Sequence, residues 1–587
     1  MTPEKPITER INPKTNNIDI ASPLEIVSLL EDCDAEIFKG WGKYPDIYNE
    51  RIQKNIDAVS EIVVSILKNS TRNSIILSGC GTSGRIAFSI ARSFNDKLRK
   101  FGITPCFDYL LAGGDVALFT SQESGEDDPV NGRDQLIKAT KGKKKVLFIG
   151  ITCGLSAPFV AGQLDYCLQH LDKFIPVIID FMNFRGNKLF YFIFSVLEDL
   201  ISVEGLKKGF LINPIVGPEP ITGSSRMKGG TATKLILESI FVSALSTLHV
   251  KGQNIIAQLV LNSYETVYQN VYKEKEQIAK VVKLAGKSLN SGGYIYYVGW
   301  DSLGIMGLID ASECQPTYGA SLDDVRGFLY KSYSNLRNKE GSLSHVGKHY
   351  LISIEDFTAN ILPGLREEDI VILLTTDSNF VPEASLLMKP CKKVVIVVNT
   401  SDQKPTTLNP NIDVFLKVTI SQKEIMQLTS QQMFDEYKQL YYELATKWIL
   451  NSITTGAHVL VGKVYQNIMI DLKASNSKLF YRAVNIIQNF SGLASEICTE
   501  YLLRAIYEED DLTDEQILAP ITSHIHIAAH KNKVIPIALA AALLDCGIDE
   551  AKERIEKEQI LRTAILNFLT IITRTTSSKS KSYIMHL

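Results

Sequence analysis

The residues from Ser78 to Arg85 read Ser-Gly-Cys-Gly-Thr-Ser-Gly-Arg, between an apolar run, SIILS, and a helical one, IAFSIARSF. Glycines at 79, 81 and 84 let a backbone turn tightly and come close to a bound group. Unpaired N–H groups at a helix start favour an anion. Thr82 and Ser83 add hydroxyl donors, and Arg85 adds positive charge. Together these are the parts of a phosphate cradle. The spacing Gly79-x-Gly81-x-x-Gly84 also satisfies the dinucleotide fingerprint. Nucleotide loops usually carry small or apolar residues between the last two glycines, where a diphosphate must pass. Hydroxyls at 82 and 83 favour a compact phosphomonoester, with a dinucleotide as the rival and a purely structural glycine turn as the chemically silent alternative.

Two further loops have the same character. The apolar run VLFIGI ends in Thr152-Cys153-Gly154-Leu155-Ser156 before the helical APFVAG. The segment Gly217 to Gly230, GPEPITGSSRMKGG, combines Ser225 and Arg226 with more hydroxyls before TATKLILESI. In an open α/β sheet such strand ends share one crevice, so three Ser/Thr/Gly turns predict one hydroxyl-lined pocket. His524, His526 and His530 match no compact metal-ligand spacing, and no metal and no cofactor is expected. Walker, G-x-S-x-G and H-E-x-x-H motifs are absent. Lys141 to Lys145 (KGKKK) reads as a solvated turn.

The elements that must position these loops alternate strand and helix. Helical periodicity runs from Pro23 to Ile66, after an extended polar arm at 1–22. Strands are predicted at Ser74–Ser78, Lys145–Ile151, Ile175–Asp180 and Phe210–Ile212, implying a parallel sheet flanked by helices. Amphipathic helices fill Leu235 to Leu289. The scheme then recurs with strands at Tyr294–Val298, Ile370–Leu374 and Lys393–Val398. From about Thr454 to Ile572 the chain reads as helical throughout, and its Ser/Thr/Lys-rich tail as disordered. The second unit lacks a phosphate loop of its own. Aligned on the first, Gly81, Ser83 and Arg85 become Asp301, Leu303 and Ile305, and ITCGLS becomes LTTDSNF with a second acid, Asp377. Carboxylates repel a phosphate, so one site per chain is expected.

Bulk properties narrow the class. The 587 residues exceed one core, and a net charge of −3 on a mixed surface gives no footprint for nucleic acid or an anionic membrane. The nine cysteines form no C-x-x-C pair, which fits a reducing compartment, and the N-terminal stretch carries no secretory h-region. The longest apolar run, Leu189 to Leu197, is about half of the roughly 20 residues a membrane span needs.

LSGCGTSGR, AGGD, GITCGLSAPFVAG and GPEPITGSSRMKGG resemble the sugar isomerase (SIS) domain, and VGWDSLGIMGLIDASEC, DVRGFL and TKWILNSITTGAHVLVGK resemble a second one. With NIMIDLKASNSKLFYRA and PIALAAALLDCGIDE, they make the chain similar to the glucokinase regulatory protein family from about Thr8 to Glu558. The bacterial N-acetylmuramic acid 6-phosphate etherases are the second resemblance. The implied fold is α/β: two tandem SIS domains, at 61–253 and 285–463, each a parallel sheet flanked by helices. An N-terminal arm with helices at 1–60 precedes them, and a helical C-terminal cap at 464–572 follows.

The resemblance assigns Thr82 and Ser83 to a sugar phosphate and places Thr152, Cys153, Gly154 and Ser156 around it, with Ser225 and Arg226 as neighbours. Glu126 and Glu313 would meet sugar hydroxyls, and Lys478 would reach in from the cap. Thr152 stands where the regulatory family usually has Ser, and Pro316 where it has His, which removes one sugar contact. The implied function is binding and inhibition of glucokinase under control of fructose 6-phosphate or fructose 1-phosphate. The implied form is a monomer with a pseudo-dimeric SIS pair, in the cytoplasm with the nucleus as a second location. Partner contacts would fall at Asn183 and at Gln427, Leu428 and Thr429. The rival is an etherase-like lyase using Glu126 and Glu313 as its acid and base.

Overall fold

The computed structural model describes residues 7–154, 157–181, 209–249, 256–402, 409–472, 474 and 476–557. Ser156, Asn183, the apolar run 189–197 and the tail lie outside them. Ten strands form two five-stranded parallel sheets. The first contains β1 (Asn73–Gly79), β2 (Phe107–Leu111), β3 (Lys145–Ile151), β4 (Phe174–Ile179) and β5 (Phe210–Ile212), in the order β2-β1-β3-β4-β5. The second contains β6 (Ile295–Gly299), β7 (Val325–Leu329), β8 (Ile370–Thr375), β9 (Lys392–Asn399) and β10 (Val414–Thr419), in the order β7-β6-β8-β9-β10. Strand for strand the two orders are the same, so the duplication read in the sequence extends to topology. All seven predicted strands form. Three more, β2, β7 and β10, lie at sheet edges.

The central strands are almost wholly apolar because helices cover both faces. In the first domain these are α1 (Pro23–Lys39), α2 (Glu50–Leu67), α3 (Gly81–Lys100), α4 (Pro129–Ala139), α5 (Pro158–Gln169) and α6 (Lys228–His249). Ser22 and Glu25 form a capping box that starts α1, and Gly40, at φ 75°, ends it. Helix α6 is long and apolar enough to cross a membrane by composition, and 89 % of that apolar window is buried inside the protein. Its Phe241 packs edge-on against Phe94 and Phe107. Two helices, α7 (Ala257–Tyr272) and α8 (Lys275–Asn290), lead into the second domain, whose α9 (Asp301–Tyr318) corresponds to α3. There α10 (Gln422–Leu428) precedes the 30-residue α11 (Gln431–Leu460), which packs on α1, α8 and α9.

The chain past Thr454 is not helical throughout. After α11 it makes a small antiparallel hairpin, Val464–Tyr465 with Ile468–Met469. Gln466, in the turn, takes φ 52°. Helix α12 (Ser477–Ser491) then opens the cap, and the apolar Val534–Leu544 forms its core.

The arm is also different from expectation. Residues 7–20 fold into three short 3-10 turns and dock. Asn12 donates to the carbonyl of Pro218 (2.9 Å), and the Thr15 hydroxyl donates to that of Pro220 (2.7 Å). Asn467 of the hairpin donates to the carbonyl of Asn12 (2.8 Å) and to the hydroxyl of Thr15 (2.9 Å). These bonds span 205 residues or more of sequence, so no local periodicity announces them.

The two domains meet along α3 and α9. Asp115, in the AGGD segment, accepts hydrogen bonds from the Tyr109 hydroxyl (2.6 Å), the Asn338 amide side chain (2.9 Å) and the Glu340 N–H (2.6 Å). Glu340 in return accepts the Asp115 N–H at 3.0 Å. AGGD is therefore an interdomain clasp.

Candidate functional site

In this strand order the chain reverses direction across the sheet between β1 and β3, where ligands of open α/β sheets bind. A cleft of about 110 Å3 lies there. Thr82, Ser83, Glu126, Thr152, Cys153, Ser225, Arg226 and Glu313 all line it, so the three predicted loops and the acid from the second domain do converge.

The first loop is shaped by close packing. A Cβ on Gly84 would fall 2.6 Å from the Gly79 carbonyl oxygen and 2.2 Å from a Leu111 methyl. Glycine there lets α3 start hard against the end of β1. Gly81 takes φ 48°, the left-handed region. Among the described residues no side chain caps the start of α3, and its N-cap residue, Cys80, makes no cap bond. Ser83 is 8 % exposed and faces the cleft. Arg85 also lines the cleft, with its guanidinium tied to backbone: its Nε donates to the Ala117 carbonyl (2.9 Å) and an Nη to that of Thr120 (3.4 Å), fixing the turn that leads to Glu126.

The second loop is organised by Asp180, at the end of β4, which the sequence reading missed. Its Oδ1 accepts the Thr152 hydroxyl (2.9 Å) and the Gly154 N–H (2.8 Å). Thr152 lines the cleft with its hydroxyl proton already committed. Gly154 is not in the wall, because its amide points to Asp180.

The third loop contributes Ser224 and Ser225. Here the helix start is already taken. Buried Glu219 accepts the N–H of Lys228 and of Gly229, both at 2.9 Å, at the beginning of α6. Desolvation pushes the Glu219 carboxyl up to about 7, against the pull of those amides and of Lys228. Arg226 was expected beside the sugar phosphate. It is 2 % exposed, and its two Nη groups are spent on Asp310 (3.3 Å), the Tyr318 hydroxyl (3.2 Å), Thr454 (3.1 Å) and Thr455 (2.8 Å), with Nε enclosed and unpartnered. It rivets the third loop to the second domain.

The cap closes the cleft. Asn476, Leu479 and Arg482 of the α12 region line it together with Met469. Asn476 caps α12 through the Leu479 N–H (2.8 Å) and donates to Glu126 (3.4 Å). The Arg482 guanidinium lies over Gly223 of the third loop, where a Cβ would come within 2.5 Å of its Cζ. Arg482 was not anticipated, yet it lies four residues after Lys478, which puts both on one helix face. Lys478 falls in the first turn of α12, and its side chain is outside what the structure describes. Pro316 adds only ring surface to the wall. Among the described residues no three His, Cys, Asp or Glu side chains converge as metal ligands do. His524 packs on Phe480 and meets the Tyr507 hydroxyl.

The second loop of the pair keeps the backbone without the chemistry. Asp301 takes φ 50°, as Gly81 takes 48°. A Cβ on Gly304 would fall 2.6 Å from the Gly299 oxygen, the same distance as in the first loop. Trp300 stands where Cys80 does and packs on Phe380 at 4.6 Å, while Asp301 and Asp377 are exposed. Gln427, Leu428 and Thr429 end α10, away from the cleft, with Gln427 exposed and the Thr429 hydroxyl donating to Ile425.

Comparison with known proteins agrees with this architecture. Residues 58–168 match the glucokinase regulatory protein N-terminal SIS domain, residues 272–461 its second SIS domain and residues 466–565 its C-terminal lid domain. The glucokinase regulatory protein of Xenopus laevis is 40 % identical, covering 96 % of this chain and 93 % of its own. That of Homo sapiens is 39 % identical, covering 93 % and 90 %. An N-acetylmuramic acid 6-phosphate etherase of Clostridium acetobutylicum is 31 % identical over 40 % of this chain and 73 % of its own. Three consecutive domains of one family in chain order, and relatives matched nearly end to end, lead to one assignment: the chain belongs to the glucokinase regulatory protein family.

Proposed function

We propose that the cleft binds one phosphosugar per chain and that its occupancy tunes a contact with glucokinase, the enzyme in the name of the relatives. The observation that carries the sugar site is the contrast between two helix starts on one cleft. Helix α6 is capped by Glu219, whereas α3 is uncapped and flanked by Thr82 and Ser83. Of these two starts, that of α3 is the one open to a phosphate. Arg482 supplies positive charge from the cap, and Glu126 and Glu313 accept from sugar hydroxyls. A dinucleotide fits poorly. Asp108, the one acid at a suitable distance along the chain, lies on β2 opposite Ile76, three residues short of the loop, and pairs with Lys339 at 2.6 Å.

The regulatory reading is tested by titrating fructose 6-phosphate calorimetrically and by assaying a glucokinase with increasing protein, with and without that sugar. Binding at one site together with sugar-dependent inhibition is expected. No inhibition at tens of micromolar protein would leave a phosphosugar sensor with another partner. An etherase-like activity is the second reading, supported by the two carboxylates sharing one cleft and by the etherase relative. Lactate release from N-acetylmuramic acid 6-phosphate decides it. We expect none.

A further inference from the structure

Glu313 belongs to the walls of two spaces. One is the cleft, and the other is a cavity of about 20 Å3 at the domain junction, lined also by Ser89, Lys234, Asp310, Lys447 and Asn451. The side chain is 2 % exposed, and its Oε1 is fully enclosed without a hydrogen-bond partner. An enclosed carboxylate oxygen with no partner is costly and calls for a counter-charge.

Three cations are close by. Lys234 is held by Glu238 and by Glu443 (3.0 Å). Arg226 is held through its two Nη groups by Asp310 and three hydroxyls, and its Nε is enclosed without a partner. Lys447, on α11 and 8 % exposed, donates to the Arg226 carbonyl at 2.7 Å and, among the described residues, makes no direct ion pair with a carboxylate. Burial lowers its ammonium below the ordinary lysine range, and the charge of Glu313 is the strongest influence opposing that. The other charges facing Lys447 are Asp34 on α1, Asp310 on α9 and Arg226 on the third loop. Glu313 faces Lys234, Lys447 and Asp310 across the cavity, and Glu126, Arg85, Arg226 and Arg482 across the cleft.

We propose that Lys447 is a positioning residue that holds Glu313 as a carboxylate from behind, across the small cavity, leaving the cleft side of that carboxylate to meet a ligand. Ile86, Ile90, Met306 and Ile309 make most of the cavity wall apolar, so the attraction between the two charges across it is little screened. The binding part of this inference rests on the phosphosugar reading; the pairing does not.

Thermal melts from pH 5 to pH 8 test the pairing without any sugar. In Lys447→Met the ionised Glu313 has lost its counter-charge, so protonation becomes linked to folding and stability falls as pH rises through the carboxyl range. A melting temperature lower by roughly 5–10 °C at pH 8, beyond any slope of the unmodified chain, is expected. Adding Glu313→Gln should remove that extra slope, and adding Asp34→Asn or Asp310→Asn should not. If Lys447→Met does not fold, the double variant with Glu313→Gln should. A slope or folding defect that Glu313→Gln leaves in place, or that Asp34→Asn corrects instead, overturns the proposal. Fructose 6-phosphate titrations complete the test. Lys447→Met should bind about tenfold more weakly and with a pH dependence beyond that of the unmodified chain, whose own dependence includes the second ionisation of the sugar phosphate. Failure of the unmodified chain to bind counts against the sugar reading alone, and the melts still judge Lys447.

Discussion

The carboxylate of Asp127 accepts both the backbone N–H of Ser477, at 3.0 Å, and its hydroxyl, at 2.7 Å. One residue along the chain, Glu126 lines the cleft and accepts from Asn476. The turn that carries a candidate sugar contact is thus the turn on which the cap is latched. An anion at the first turn of α12 also meets the positive end of its dipole. A hydrogen bond to a charged group is worth roughly 1.5–3 kcal/mol. Asp127→Ala should therefore weaken fructose 6-phosphate binding about tenfold and increase hydrogen exchange in α12. Unchanged affinity and exchange would show that the latch does not control the cleft.

Ser83 tests the phosphate end. Replacing it with Ala removes a hydroxyl from a site where no side chain caps the helix start. Binding of fructose 6-phosphate should fall about 10- to 100-fold, since roughly 1.4 kcal/mol is a factor of ten. Calorimetry should give one site per chain both before and after the substitution. Two equal sites would return the second loop to consideration.

Arg482 tests whether the cap supplies charge. Arg482→Met keeps much of the packing over Gly223 and removes the guanidinium. Affinity should drop about tenfold or more, and the salt dependence of binding should flatten. A variant with unaltered affinity and salt response would reduce Arg482 to a packing role.

Stability should fall as pH rises from about 5 to 8. Burial raises Glu219 to about 7, Glu238 to about 7 and Asp34 to about 6. A carboxyl raised in this way binds its proton more tightly in the fold than in the unfolded chain. Its contribution is complete below the ordinary carboxylate pKa and disappears as pH climbs through the folded value. For Glu219 the full effect is roughly 3 kcal/mol. Glu219→Gln should flatten the pH dependence of the melting temperature between pH 5 and pH 7 by several degrees. An unchanged slope would mean that Glu219 stays ionised throughout.

Much of this fold was legible because central parallel strands are buried on both faces and so read as unbroken apolar runs. The strands that escaped are edges, and each contains a charged residue: Asp108 in β2, Arg326 in β7 and Lys417 in β10. Half-exposed edge positions tolerate such residues, and the apolar run is broken. The cleft was legible loop by loop, since glycine and hydroxyl spacing is a local signal. What sequence concealed was commitment. Arg226 and Thr152 are the right types at the right places, yet an Arg226 Nη and the Thr152 hydroxyl are taken by Asp310 and Asp180, partners 84 and 28 residues away. Asp180 itself had no motif to mark it.

The matched backbone of Gly81 and Asp301 bears on how the cleft meets its ligand. At position 301 the left-handed turn persists with a side chain that strains it and with no phosphate chemistry to reward it. What holds the turn there is the fit of Gly304 against Gly299, and the same fit operates between Gly84 and Gly79. The second domain is thus a built-in control experiment: remove the ligand's partners, keep the glycine contact, and the loop retains its shape. The first loop should then stand ready before any sugar arrives, so that little binding energy is lost to ordering it. On this view, conformational response to the sugar originates in the cap and the second domain, which must come together around a cradle that is already rigid.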